Sequence, residues 1–225
     1  MKLARDTRRA GPPQSVNQPP ILEIAQLGRR FGDHEVLRGI DLSLGPGERL
    51  ALTGPNGSGK TTLLRCASGT LMPTSGHAKV CGEEAGSMAA RRRVGTSLSQ
   101  ERSFYLRLTG RENLMFFSRL RHERERQARR NVEAIIEELE LEEIAAERVN
   151  RCSTGMVQQL SFARALLGDP SLLLLDEPTR SLDAAATARL WAALERRQRI
   201  AVLIATHRPD DLERCPQRLD LGTGR

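Results

Sequence analysis

The residues able to do chemistry fall in two short stretches far apart in the chain. The first, Gly54-Pro55-Asn56-Gly57-Ser58-Gly59-Lys60-Thr61-Thr62, follows the apolar run Leu50-Ala51-Leu52 and opens onto Leu63-Leu64. A glycine, four residues, then Gly-Lys-Thr is the spacing of a loop that cradles phosphate groups. Gly54, Gly57 and Gly59 let the backbone turn tightly enough for successive N–H groups to point inward at a polyphosphate. A helix beginning near Gly59 adds its positive N-terminal end to the same anion site. Lys60 supplies a compact charge for the outer phosphates, and Thr61 offers a hydroxyl oxygen to Mg²⁺. The second stretch, Leu172-Leu173-Leu174-Leu175-Asp176-Glu177, is an all-apolar run ended by two acids. That pattern fits a buried parallel strand whose C-terminal end opens on a ligand. There Asp176 would hold Mg²⁺, directly or through water, and Glu177 would orient and deprotonate an attacking water. Hydrolysis of a γ-phosphate needs an in-line nucleophile and charge neutralisation more than covalent help. Two acids after a core strand also make a helix N-cap; the phosphate loop in the same chain decides for the chemical reading.

These groups need a scaffold of strands and helices, and the chain supplies one in order. Residues 1–20 hold Pro12, Pro13, Pro19 and Pro20 among polar and basic residues with no apolar period, and are expected to form a disordered basic tail. Strands are expected at Ile21–Ile24, Val36–Leu44 and Arg49–Thr53, with Phe31 in the link between the first two, then a helix at Thr61–Ser68. A short strand at His77–Val80 and a loop or weak helix over Gly82–Ala90 lead to a strand at Val94–Leu98. From Glu101 to Asn150 the texture turns helical. Thr109-Gly110-Arg111-Glu112 is a capping box, and Val132, Ile135, Ile136 and Leu139 fall on one helical stripe. A helix at Val157–Leu167, the strand to Asp176, an Ala-rich helix at Ala184–Arg197 and a strand at Ile200–Ala205 follow. A short helix at Pro209–Arg214 is expected next, followed by Arg218–Leu221. The expected fold is α/β: a phosphate-loop core with a mixed sheet, an N-terminal antiparallel β part and an inserted helical subdomain at about 101–167, all within one domain at 21–225.

Composition narrows the function classes. Hydrophobic residues are 39% and aromatics only 3%, so the interior must be aliphatic. Of 35 basic residues only Lys2, Lys60 and Lys79 are lysine, and Lys60 stands where geometry asks for an ammonium rather than a planar fork. The net charge of +7 is spread among Arg–Glu neighbours and concentrated partly in the tail, which argues for a solvated surface and against nucleic acid as a partner. Cys66, Cys81, Cys152 and Cys215 stand apart with no Cys-x-x-Cys pair, the pattern of a reducing compartment. No apolar run reaches membrane-spanning length, and the start lacks a secretory signal, so a protein inside the cell or peripheral on the membrane's inner side is expected.

The ordered set Gly54 to Thr62, Gln100, Ser153-Thr154-Gly155-Met156-Val157-Gln158-Gln159, Ala163-Arg164-Ala165-Leu166, Asp176-Glu177-Pro178-Thr179, Ser181-Leu182-Asp183 and His207 resembles the ATP-binding subunit of ABC transporters, from about Ile21 to the end. The resemblance implies ATP and Mg²⁺ as ligands and an ATPase that powers transport. Phe31 matches the aromatic that stacks on adenine. Gln100 matches the glutamine that touches Mg²⁺ and the attacking water and links the site to a membrane partner. Ser153 and Gly155 match the signature that meets the γ-phosphate of ATP held by the opposite subunit, and Asp183 the loop that crosses the dimer. His207 matches the histidine that contacts the γ-phosphate and steadies the water. The implied partners are a separate transmembrane subunit, met by the helical lobe around Glu101–Leu108, and a second ATP-binding subunit in a homodimer. The implied place is the cytoplasmic face of the inner membrane.

The signature departs from the family's usual Leu-Ser-Gly-Gly-Gln, reading Cys152-Ser153-Thr154-Gly155-Met156. The two phosphate-facing positions are kept, while Thr154 adds bulk. Similar Ser-Thr-Gly-Met forms resemble exporters whose ATPase and membrane parts are separate chains. Alternatives are a haem-export ATPase of cytochrome-c maturation, suggested by the short end after His207, and a soluble ABC ATPase working on DNA or ribosomes. The DNA-repair type would need a long coiled-coil insert, and the ribosomal type two phosphate loops. A non-hydrolysing nucleotide-binding module is disfavoured by intact Lys60, Glu177 and His207.

Overall fold

A computed structural model of the chain describes residues 19–98, 104–121 and 124–222. All but the last two residues of the expected basic tail, and Gln100 with the start of the expected helical lobe, lie outside the described residues.

The chain begins with a hairpin of β1 (Leu22–Phe31) and β2 (His34–Leu44), followed by β3 (Arg49–Thr53), the phosphate loop and α1 (Lys60–Ala67). Next come β4 (Ser75–Val80), β5 (Glu83–Glu84), α2 (Met88–Arg93) and β6 (Val94–Ser97). The helical stretch holds α3 (Gly110–Leu120), α4 (Glu125–Glu138), α5 (Glu142–Ala146), a 3₁₀ turn at Val149–Arg151, and α6 (Thr154–Leu166). The chain closes with β7 (Leu172–Asp176), α7 (Ala184–Arg196), β8 (Ala201–Ala205), α8 (Pro209–Glu213) and β9 (Gln217–Asp220). Parallel and antiparallel strands segregate into two sheets. One is antiparallel in the order β2-β1-β4-β5; the other is parallel in the order β6-β7-β8-β3-β9.

The four-leucine run of β7 explains how the layers stack. Side chains alternate across a strand, and here Leu172 and Leu174 join the apolar cluster with α1 and the antiparallel sheet, whereas Leu173 and Leu175 join the one with the helical lobe, α6 and α7. The same division runs through β8, with Ala201, Leu203 and Ala205 on one side and Val202 and Ile204 on the other. A parallel strand covered on both faces therefore reads as an unbroken apolar run. Each leucine so buried contributes about 1.5–3 kcal/mol.

Two elements differ from expectation. β1 does not stop at Ile24 but runs to Phe31, whose pairing partner is His34 across a tight turn. The register of the pairing slips beyond Ile24, next to Gln26 at φ 47°, where the Gln26 backbone N–H and side-chain amide both donate to the Asp41 carboxylate, at 2.9 and 2.5 Å. The Gly82–Ala90 stretch becomes β5 and the start of α2, whose first turn is fixed by Ser87 Oγ accepting from Ala90 N at 3.1 Å. In the lobe, the Thr109–Glu112 capping box forms as expected.

Candidate nucleotide site

The phosphate loop sits between β3 and α1, at the C-terminal end of the parallel sheet. Gly54, Gly57 and Gly59 adopt φ 130°, 84° and 97°, values that side-chain-bearing residues rarely take. Space matters too at Gly59, where a Cβ would lie 2.7 Å from a Leu37 methyl, so β2 presses directly on the loop. Lys60, the first residue of α1, donates from Nζ to the Gly54 and Pro55 carbonyls at 2.7 and 2.9 Å. Its ammonium is thereby folded over the loop and forms no ion pair with an acid among the described residues. Ser58 Oγ is buried without a hydrogen-bond partner. A cationic tip, an orphaned hydroxyl and a helix N-terminus around one loop fit an anionic polyphosphate.

β7 delivers its two acids beside this loop. Thr61 Oγ1 donates to Asp176 Oδ2 at 2.8 Å, joining α1 to the end of β7. These are two hard oxygen donors of the kind Mg²⁺ takes. Among the described residues no group of three His, Cys, Asp or Glu side chains is placed to hold a metal. An ion at Thr61 and Asp176 would therefore complete its shell with phosphate oxygens and water. Glu177 follows in the left-handed region at φ 50°, a conformation that costs a non-glycine residue about 1–3 kcal/mol and clusters at functional sites. Its backbone N–H donates to the Ala205 carbonyl at 2.8 Å, which aims the side chain at the next turn.

His207 lies on that turn, with Nδ1 2.7 Å from Glu177 Oε1. An ionised carboxylate can only accept, so Nδ1 is the donor in this pair, on a largely exposed ring. Glu177 Oε2 is buried with no partner, an acceptor held open beside the phosphate loop. Thr61, Asp176, Glu177 and His207 thus form a continuous line from the loop outward, with one carboxylate able to take a proton from water.

The remaining expected residues are placed differently. Phe31 is half-exposed at the tip of the β1–β2 hairpin, two pairing positions beyond the Arg29–Leu37 pair, whose Leu37 touches Gly59, with the Arg29 guanidinium 4.5 Å from its ring centre. Pro55 and Asn56 form the exposed crest of the loop, and Thr62 lies in the first turn of α1. Ser153 caps α6 by accepting from Met156 N at 3.2 Å. Asp183 caps α7 by accepting from Ala186 N at 2.7 Å. A Cβ on Gly155 would lie 2.5 Å from the Ser181 carbonyl oxygen, so the head of α6 packs on the loop that leads to Asp183. Ser153, Gly155 and Asp183 are thus gathered with one another, and Ser153 and Gly155 share no hydrogen bond with the phosphate loop.

Sequence reasoning missed Asp211. Fully buried on α8, it accepts hydrogen bonds from Thr179, Thr206 and Trp191. An acid near a helix N-terminus is so common that its type and position carried no signal; only the fold brings its three donors together.

Comparison with known proteins agrees with this geometry. The family described as ABC transporter matches residues 37–180. A curated relative, the Nod factor export ATP-binding protein I of Burkholderia orbicola (strain AU 1054), is 39% identical over 204 residues, covering 88% of this chain. The match takes in 66% of that protein's length, just under two thirds. A solved ATP-binding subunit of an ABC transporter superposes with a TM-score of 0.81 at 26% identity, over 89% of this chain and 85% of that one. A dimeric ATP-binding cassette in a post-hydrolysis state, bound to ADP and Pi, shares the fold with a TM-score of 0.81 at 22% identity, over 91% and 97% of the two chains. With its phosphate loop, paired acids and histidine on one α/β core, the chain belongs to the ABC transporter family as an ATP-binding domain.

Proposed function

We propose that the chain hydrolyses ATP to drive an exporter, as one half of an ATP-closed homodimer coupled to a separate transmembrane subunit. The observation that carries this reading is the line Thr61–Asp176–Glu177–His207 beside the phosphate loop. The backbone of Gly54 to Gly59, with Lys60 and the start of α1 through Thr62, holds the phosphates, and Phe31 stacks on the adenine. Thr61 and Asp176 hold Mg²⁺, which neutralises phosphate charge when bound, with Gln100 as a further ligand. Glu177 takes the proton of the attacking water, and His207 steadies the γ-phosphate side.

The exposed faces of Ser153 and Gly155 close the site of a second copy, with Asp183 at the crossing. ATP binding then favours the closed dimer because the nucleotide touches both halves only there. Residues 21–225 act as the ATP-binding domain, with about 101–167 as its helical lobe. That lobe exposes Tyr105, Leu106, Phe116 and Leu120, with the Tyr105 and Phe116 rings 4.8 Å apart, large apolar side chains suited to a membrane-subunit contact. Its loop is preset by buried Asn113, which accepts from Tyr105 N at 2.8 Å and donates to the Tyr105 and Thr109 carbonyls at 3.0 and 2.9 Å. No helix among the described residues is long and apolar enough to cross a membrane, so movement of a solute rests on the partner. Export rather than import is favoured by the Nod factor export relative.

Sedimentation of Glu177→Gln with and without MgATP tests the reading. A dimer that forms only with MgATP, together with loss of steady-state hydrolysis, is the expected result. A variant that binds ATP yet stays monomeric would overturn the homodimer, and undiminished hydrolysis would overturn the role of Glu177.

A further inference from the structure

Asp211 is an ionisable side chain with no exposed surface, and such a group is costly to bury unless its oxygens are hydrogen-bonded. Here they are. Thr179 Oγ1 and Thr206 Oγ1 donate to Oδ2 at 2.6 and 2.9 Å, and Trp191 Nε1 donates to Oδ1 at 3.2 Å. A carboxylate of this size accepts all three without presenting a donor of its own.

The origin of the donors gives the arrangement its meaning. Thr179 stands two residues beyond Glu177, Thr206 immediately precedes His207, and Trp191 lies in the helix capped by Asp183. The turn carrying the carboxylate and the turn carrying the imidazole are thus fastened to the same oxygen. Arg208 reinforces the link from the other side of His207: its guanidinium donates to the Thr179 carbonyl at 2.6 Å, and its backbone N–H donates to Thr206 Oγ1 at 3.2 Å. The Glu177 N–H to the Ala205 carbonyl, at 2.8 Å, ties the turns through the backbone, while Thr206 N reaches the Leu52 carbonyl only at 3.4 Å. The hydroxyl bond to Asp211 is the side-chain tether at the residue next to His207.

We propose that Asp211 is a positioning residue for hydrolysis, holding the His207 turn against the Glu177 turn so that Nδ1 meets Oε1. The proposal rests on the ATPase reading for its catalytic consequence, but not for its structural one, and two measurements separate them. Asp211→Leu keeps the branched shape and removes both acceptor oxygens, so the Thr179 and Thr206 bonds to the shared oxygen are lost. Thr206→Val removes the tether next to His207, and with it the Arg208 N–H bond to the same hydroxyl, and serves if the first variant fails to fold. In the nucleotide-free full chain, ring ¹⁵N spectra, with His207 assigned by the signals lost in His207→Ala, report whether Nδ1 carries a hydrogen-bonded proton. The expected result is that this signature weakens in either variant; an unchanged ring spectrum in folded Asp211→Leu and Thr206→Val would overturn the proposal.

For turnover, kcat is expected to fall on the order of 10–100-fold, the usual cost of removing an outer support. The KM for MgATP should stay within about twofold, since the phosphate loop is untouched. In a His207→Ala background, Asp211→Leu should cost nothing further, because residues that act as one unit are not additive. A full additional loss there would mean that Asp211 serves only general stability. A wild-type chain that binds ATP without turning it over would refute the ATPase reading, while the ring spectra would still decide what Asp211 does.

Discussion

Glu138, the last residue of α4, joins the helical lobe to α7 of the core and supplies a quantitative test. Both of its oxygens accept from Arg197, at 2.6 Å each, and Oε1 also accepts from Arg196 Nε at 3.0 Å. The carboxyl is four-fifths buried, which by itself would raise its pKa, yet the Arg197 hydrogen bonds outweigh that desolvation and hold it below the usual value of 4.5. Exposed ion pairs contribute about 0–1 kcal/mol, whereas hydrogen bonds to charged groups contribute about 1.5–3. A paired, partly buried fork falls between, so Glu138→Ala should cost about 2 kcal/mol at pH 7. Glu138→Gln, which keeps one acceptor, should cost about half as much. For a domain of this size, about 2 kcal/mol lowers Tm by roughly 4–8 °C. The sign with pH follows from the depressed pKa: the folded state prefers the ionised form, so the contribution is complete above the unfolded value and is lost as pH falls through the folded one. Urea unfolding of wild type and Glu138→Ala from pH 7 to pH 3.5 should show a gap that is flat down to about pH 4.5 and narrows below it. Equal stabilities at pH 7, or a gap that widens in acid, would refute the reasoning.

The nucleotide loop and the cysteines give two further outcomes. Lys60→Ala removes the ammonium folded over the Gly54 and Pro55 carbonyls, and should weaken binding of a fluorescent ATP analogue about 10-fold or more with little change in Tm; unchanged affinity would take Lys60 out of the site. With a thiol reagent at pH 8, exposed Cys81 should label first, whereas Cys66 and Cys215, each pushed up to about 11 by burial, should label only on unfolding; early modification of either would contradict their burial.

What the sequence revealed and what it concealed divide along a physical line. The phosphate loop, the Thr109 capping box and the leucine run of β7 were legible because each depends on backbone conformation or strand period over a few neighbouring residues. Asp211 was not: its donors lie 5, 20 and 32 residues away and meet only after the parallel sheet has formed. The Glu138–Arg197 link, 59 residues apart, was hidden for the same reason, and its residue types are those of any solvated helix face. The path of β1 through Phe31 was missed because the slip near Gln26 is secured by Asp41, a partner 15 residues on.

The signature shows both sides of that line at once. Its sequence raised doubt at Thr154, where the family's usual glycine is replaced. In the fold, Thr154 is the exposed first residue of α6, whereas at Gly155 a Cβ would lie 2.5 Å from the Ser181 carbonyl oxygen. The glycine that local packing requires is the one that is kept. Met156, a further departure besides Cys152, also retains a local function: its Sδ lies 3.4 Å from Ser153 N, standing where a side-chain oxygen would complete the cap, while its own N–H binds Ser153 Oγ. Sulfur is the weaker acceptor, so the head of α6 keeps its shape through a softer bond. Thr154 and Met156 thus fall where α6 tolerates them, and Ser153 and Gly155 keep their places at its head.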